Sequence, residues 1–153
     1  MKKLNLSKFQ SIIGLVVFSL IVSLINERFL TSGNILNVLR QTSINSIIAA
    51  GMSFVILTGG IDLSVGSTLA LSGAVAATLF AMGVNPVFAL LAALAVGAGI
   101  GFINGVAIAK GKLQPFIVTL ATMTIFRGAT MVFTDGKPIS AGFEKNSEVL
   151  AYI

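Results

Sequence analysis

Asp62 is the one ionisable residue between Gln41 and Ala109. It follows a double glycine in the run Gly59-Gly60-Ile61-Asp62-Leu63-Ser64-Val65-Gly66-Ser67. A charge in so apolar a setting is costly, roughly 2.5–3.5 kcal/mol at the centre of a membrane-spanning helix. Gly59-Gly60 breaks or bends whatever helix precedes it. As a general acid or base Asp62 lacks a relay partner, because the chain has no histidine and no second carboxylate lies near in sequence. As local structure, Asp62 or Ser64 caps the apolar helix that follows, a side-chain oxygen satisfying free backbone N–H groups at its positive end. As a functional element, Gly59, Gly60 and Asp62 form a hinge or coupling point, since a broken helix with a charged residue is how membrane proteins build pathways and couplings. The cap and the hinge are compatible.

Ser64, Thr68 and Ser72 recur every fourth residue, on one helix face. In lipid such a stripe faces protein or water, either bonding a neighbouring helix or lining a path for a hydroxyl-rich solute. Ala89, Ala93, Gly97, Gly101, Gly105 and Ala109 form a second stripe at spacing four. It lets another helix approach closely, so Gly101→Leu should disrupt assembly. Asn104, beside Gly105, is placed to hydrogen-bond across that contact. Arg127 interrupts the last apolar stretch. With a helix starting at Leu113 it lies about 21 Å along the axis. Either the helix ends near Phe126 with the guanidinium reaching the interface, or Arg127 faces the bundle interior, pairing with an acid or contacting solute.

Composition narrows these choices. Hydrophobic residues make up 56% of the chain, charged residues 10%, and mean hydropathy is +1.00. A soluble domain carries about 25% charged residues, so the expectation is an all-α, polytopic transmembrane helix bundle. Cysteine and histidine are both absent, which removes disulfides, thiol catalysis and the usual zinc and haem ligands. No metal or cofactor is expected. The net charge of +5 is dispersed over short loops, favouring membrane lipid contacts over nucleic acid. Gly97-Ala98-Gly99-Ile100-Gly101 superficially suggests a nucleotide loop but lies inside a continuous apolar run. No phosphate-binding Gly-x-x-x-x-Gly-Lys-[Ser/Thr] sequence occurs, so ATP-driven work needs a partner.

Charge-free intervals of about 20 residues and the turn Gly83-Val84-Asn85-Pro86 place about five spans, near 9–26, 43–60, 64–82, 87–109 and 113–134. A polar loop follows over 135–148. The first span reads as uncleaved, since no small-x-small site follows it. Lys2, Lys3, Lys8, Lys110 and Lys112 then lie inside, and Arg28, Arg40, Lys137 and Lys145 outside, a slight bias in the usual direction. A break at Gly59-Gly60 within the membrane would invert everything downstream.

Ile56-Leu57-Thr58-Gly59-Gly60-Ile61-Asp62-Leu63-Ser64-Val65-Gly66-Ser67 closely resembles the signature of the ribose-type permease family of bacterial ABC importers. So does Gly101-Phe102-Ile103-Asn104-Gly105, continuing through Lys112-Leu113-Gln114-Pro115-Phe116-Ile117-Val118-Thr119-Leu120 to Arg127-Gly128. The Asp135-Gly136-Lys137-Pro138-Ile139 turn fits as well. The resemblance covers about Asn34 to Ile139 in family order. Related branched-chain amino-acid permeases usually carry Asn-Leu or Asn-Phe where Asp62-Leu63 stands.

This resemblance implies a subunit of the bacterial inner membrane that works as a pair. Its implied partners are a cytoplasmic ATP-binding subunit and a periplasmic or lipid-anchored sugar-binding protein, and its cargo is ribose or a related monosaccharide moving inward. Members are about twice this length, so the chain reads as an N-terminal half. The expected roles are hinge or coupling for Gly59, Gly60 and Asp62, solute pathway for Ser64, Thr68, Asn104 and Arg127, and helix packing for Gly97, Gly101 and Gly105. The alternatives are an ion-coupled secondary carrier with Asp62 as ion site, and a non-transporting scaffold built on the glycine stripe.

Overall fold

A computed structural model describes residues 9–139. It contains five helices and, among the described residues, no strand: α1 (Gln10–Ile25), α2 (Ser32–Leu57), α3 (Val65–Ala81), α4 (Pro86–Ala109) and α5 (Pro115–Phe133). The chain divides into two units at the Ala50–Gly51 bond, within α2.

The first unit holds α1 and most of α2. Asn26 Oδ1 accepts from the Arg28 N–H at 2.9 Å, and Asn34 Nδ2 donates to the Phe29 carbonyl at 2.7 Å. These bonds close the connection and start α2 at Ser32, eleven residues before the expected 43. The charge-free criterion failed here because it finds the edge of the hydrocarbon, not the end of the helix. Arginine is a good helix former, so Arg40 sits exposed within α2.

In the second unit α3 packs against both α4 and α5. The order of buried residues is inverted relative to a soluble core. Among the described residues only Ala89, Ile100 and Val118 are buried apolar residues, whereas Ser64, Ser67, Asn104, Thr119 and Thr122 are all buried. Large side chains such as Leu90, Leu94, Phe102 and Ile125 face outward. In water that surface would be a liability far beyond an ordinary exposed patch. Against lipid it needs no cover, and polar side chains must find partners inside. Helices α4 and α5 are long and apolar enough to cross a membrane; α1 and α3 are apolar but shorter, at 16 and 17 residues.

Turn chemistry sets the ends of the later helices. Asn85 accepts from the Val87 N–H at 2.9 Å with Pro86 in the first turn, as the Gly83–Pro86 signal predicts. Helix α4 stops at Ala109, two residues before Gly111, where a Cβ would lie 2.4 Å from the Ala107 carbonyl oxygen. Helix α5 runs six residues past Arg127. An early stop near Phe126 is therefore corrected: a single arginine does not end a helix, and Thr130 Oγ1 bonds the Phe126 carbonyl at 2.7 Å as the helix continues. It ends instead on Asp135, at φ +51, with the Gly136 N–H reaching back to the Met131 carbonyl at 2.9 Å. That is the double reversal which closes many helices. Of the expected polar loop, 135–139 forms this turn and the remainder lies outside the described residues, as do Lys2, Lys3, Lys8 and Lys145.

Candidate functional site

Helix α2 ends because Gly59 adopts φ +74, a conformation that residues with a Cβ rarely hold. Its N–H donates to the Ile56 carbonyl at 2.9 Å, and that of Gly60 to the Val55 carbonyl at 3.1 Å. These two bonds are the Schellman pattern. The chain then runs non-helically to Ser64 before α3 begins. The interruption expected from Gly59-Gly60 is therefore real, with a glycine-specific turn as its cause.

Asp62 shapes that segment. Its Oδ1 accepts from the Ser64 N–H at 2.7 Å and from Ser64 Oγ at 2.6 Å. The second distance is that of a hydroxyl donating to a carboxylate. The capping expectation is corrected in detail. Ser64 is the N-cap residue, yet neither its side chain nor that of Asp62 bonds an N–H of α3. Asp62 instead folds the approach to the helix through a local side-chain turn, while its carboxylate stays beside the positive helix end.

Ser64 is the hub of a wider cluster. It is 1% exposed and its Oγ also accepts from Asn104 Nδ2 at 2.9 Å. Asn104 thus bonds across the α3–α4 contact, joining residues forty positions apart. The single hydroxyl proton of Ser64 fixes the Asn104 amide. Because that proton goes to Asp62, Ser64 faces Asn104 only as an acceptor, and the NH2 group must point at it. Asn104 Oδ1 is left buried without a hydrogen-bond partner. On the other side, Thr119 Oγ1 lies 3.2 Å from the Ile61 carbonyl and 2.8 Å from that of Pro115, tying α5 to the interrupted segment. Ser67 Oγ donates to the Ser64 carbonyl at 2.8 Å.

A groove of about 460 Å³ opens beside this cluster, with Thr58, Asp62, Gly101, Asn104, Gly105 and Thr119 among its walls. Asp62 is its only charged residue. The glycine stripe divides accordingly. Gly97 approaches α3, where a Cβ would meet Thr68 Cγ2 at 3.9 Å, whereas Gly101 and Gly105 have open space where a side chain would go. Within the described residues Gly97 lies against α3, and Gly101 and Gly105 meet no other helix and line the groove. Gly101→Leu would fill the groove rather than split α3 from α4.

The remaining expected site residues lie apart. Thr68 packs its methyl toward Gly97 and belongs to neither groove described here. Arg127 is exposed, without an acid partner among the described residues. It lines a separate cleft of about 300 Å³ with Leu63, Gly66, Ser67, Ala70 and Met123. No group of metal-ligating side chains occurs among the described residues. Ser67, Thr119 and Thr122 are buried polar residues that inspection of the α3 stripe overlooked. Thr119 and Thr122, three apart on one face of α5, carried the same kind of signal.

The family model described as branched-chain amino acid transport system / permease component matches residues 34–151. The chain belongs to that family. This permease chain is also 54% identical to the ribose import permease protein of Haemophilus influenzae over 145 residues, covering 94% of this chain and 45% of that protein. It is 56% identical to the Bacillus subtilis ribose import permease protein, covering 88% and 42%. With the Escherichia coli D-allose transport system permease protein identity falls to 43%, over 81% and 38%. The permease chain therefore spans less than half the length of these curated relatives. No solved structure matches it.

Proposed function

We propose that this chain is a membrane-spanning part of the permease subunit of an ATP-driven importer for ribose or a related monosaccharide. It would lie as a multi-pass protein in the bacterial inner membrane, α1 to α5 providing about five crossings. The observation that carries this reading is the inverted core. Five polar side chains are buried, and three of them, Ser64, Asn104 and Thr119, tie a helix break to its neighbours, inside helices whose large apolar residues face outward. A protein that moves a polar solute through lipid needs that arrangement. Similarity to ribose import permeases over most of this chain supports the cargo.

The assembly would comprise two permease subunits, a cytoplasmic ATP-binding subunit and a sugar-binding protein outside the membrane. Alternating access would be driven by the partner's ATP cycle, with Gly59, Gly60 and Asp62 at the point of bending. The carrier alternative draws on Asp62 alone, one oxygen of which, Oδ1, accepts twice from Ser64. The scaffold alternative needs the whole glycine stripe to pack, and within this chain only Gly97 does.

Ribose uptake by the full-length permease with its partners is expected to stop when the ATP-binding subunit is disabled by substitution in its nucleotide site. The measurement is radiolabelled ribose accumulation normalised to membrane-inserted permease. Undiminished uptake with the disabled partner contradicts the importer reading and favours an ion-coupled carrier.

A further inference from the structure

Asn104 holds a buried acceptor with nothing to accept from. The residue is 5% exposed, its amide nitrogen is committed to Ser64, and the Ser64 proton is committed to Asp62. The amide cannot turn over to relieve its oxygen without presenting that oxygen to a hydroxyl that has no proton left to give. Buried polar groups are almost always paired, and one held unpaired beside a cavity marks a missing donor. The cavity is the groove whose walls include Gly101 and Gly105, one helical turn apart and on the same helix as Asn104. Neither glycine has an atom where a Cβ would point within 4 Å. Its volume falls in the range of small-molecule sites, about 300–1,000 Å³.

We propose that this groove is a subsite for a neutral, hydroxyl-rich solute, and that Asn104 Oδ1, enclosed in this conformation, accepts from a solute hydroxyl when the groove opens. The proposal rests on the importer reading and deepens it. The lining favours a hydroxyl donor over an anion. It offers the Asp62 carboxylate, the Asn104 carbonyl and the Thr58 and Thr119 hydroxyls, and no lysine or arginine. A phosphorylated or carboxylate-bearing solute would meet a negative wall with no cation to balance it. A sugar brings donors without net charge. The absent Cβ atoms at Gly101 and Gly105 leave room for a ring along α4.

The test uses the full-length permease with its partners, made otherwise cysteine-free; this chain contributes no cysteine of its own. Gly105→Cys places a thiol on the groove wall, and Ala109→Cys, on the same wall, is the second reporter should the first not assemble. The readout is the rate of labelling by a small polar maleimide, with ATP present throughout, with and without saturating ribose. Ribose is expected to slow labelling at least fivefold, and Asn104→Leu to abolish that protection. Asn104→Ala replaces the leucine variant where the latter fails to reach the membrane. Equal labelling with and without ribose, in an assembly that still imports ribose, overturns the subsite. So does a thiol that never labels, because the groove is then sealed by protein, and so does protection that survives loss of the Asn104 amide. Failure of the unsubstituted assembly to import ribose counts instead against the importer reading.

Discussion

Ser64→Ala is expected to lower the stability of the folded permease by about 2 kcal/mol, the largest effect of any single substitution in the cluster. The hydroxyl makes two bonds, as donor to Asp62 and acceptor from Asn104. A typical bond between membrane helices contributes only about 0.6 kcal/mol, since unfolded helices find other partners. That figure alone would make the change minor. Here, however, removal leaves both ends of the Asn104 amide unpaired in a buried site and strips one donor from a carboxylate. Stranded groups cost about 1–3 kcal/mol, more when charged. The expectation is checked by denaturant unfolding of the purified full-length protein in a double-mutant cycle with Asn104→Leu. Because Asn104→Leu removes the stranded amide, the double variant should be no less stable than Ser64→Ala alone. Strictly additive losses would mean that the two side chains do not depend on one another.

Asp62→Asn is expected to reduce uptake about fivefold while membrane abundance stays within twofold of the parent. The two halves of this expectation come from different features of one residue. Asparagine forms the same local turn as aspartate, so its Oδ1 can still accept from the Ser64 N–H and Oγ, and the approach to α3 should survive. What it loses is charge. The 2.6 Å bond from Ser64 Oγ is a hydroxyl-to-carboxylate bond, and such bonds are about twice as strong as neutral ones. A loss of about 1 kcal/mol in a bond proposed to change during transport corresponds to roughly fivefold. Asp62→Ala should be worse, losing turn and charge together. Parental uptake by Asp62→Asn would reduce Asp62 to a shaper of the chain.

The sequence made the helical membrane class and the break at Gly59-Gly60 legible because both rest on local physics. A lone acid in an apolar run and a glycine pair before it carry their meaning without knowledge of neighbours. Helix limits were legible where turn chemistry sets them, as at Gly83–Pro86 and Asp135-Gly136, whereas charge marks no helix end at Arg40. The site was only half legible. Asn104 could be placed opposite another helix from its seat beside Gly105, but its partner Ser64 lies forty residues away and depends on how α3 and α4 register. The same limit hid the split of the glycine stripe: Gly97, Gly101 and Gly105 are equivalent in spacing, and only the crossing of α3 over α4 decides which of them meets a neighbour. Thr119 reaches the Ile61 carbonyl for a similarly non-local reason.

The most direct test of the account is solute accumulation by the full-length permease, its ATP-binding subunit and its solute-binding protein in proteoliposomes, with ATP supplied on the ATP-binding subunit's side and no ion gradient. Labelled ribose and labelled leucine, each at saturation, distinguish the cargo of the ribose relatives from the cargo that the family's description names. The account predicts ATP-dependent accumulation of ribose, with leucine at the level of empty vesicles. Accumulation of leucine without ribose, or of ribose without ATP, would contradict it.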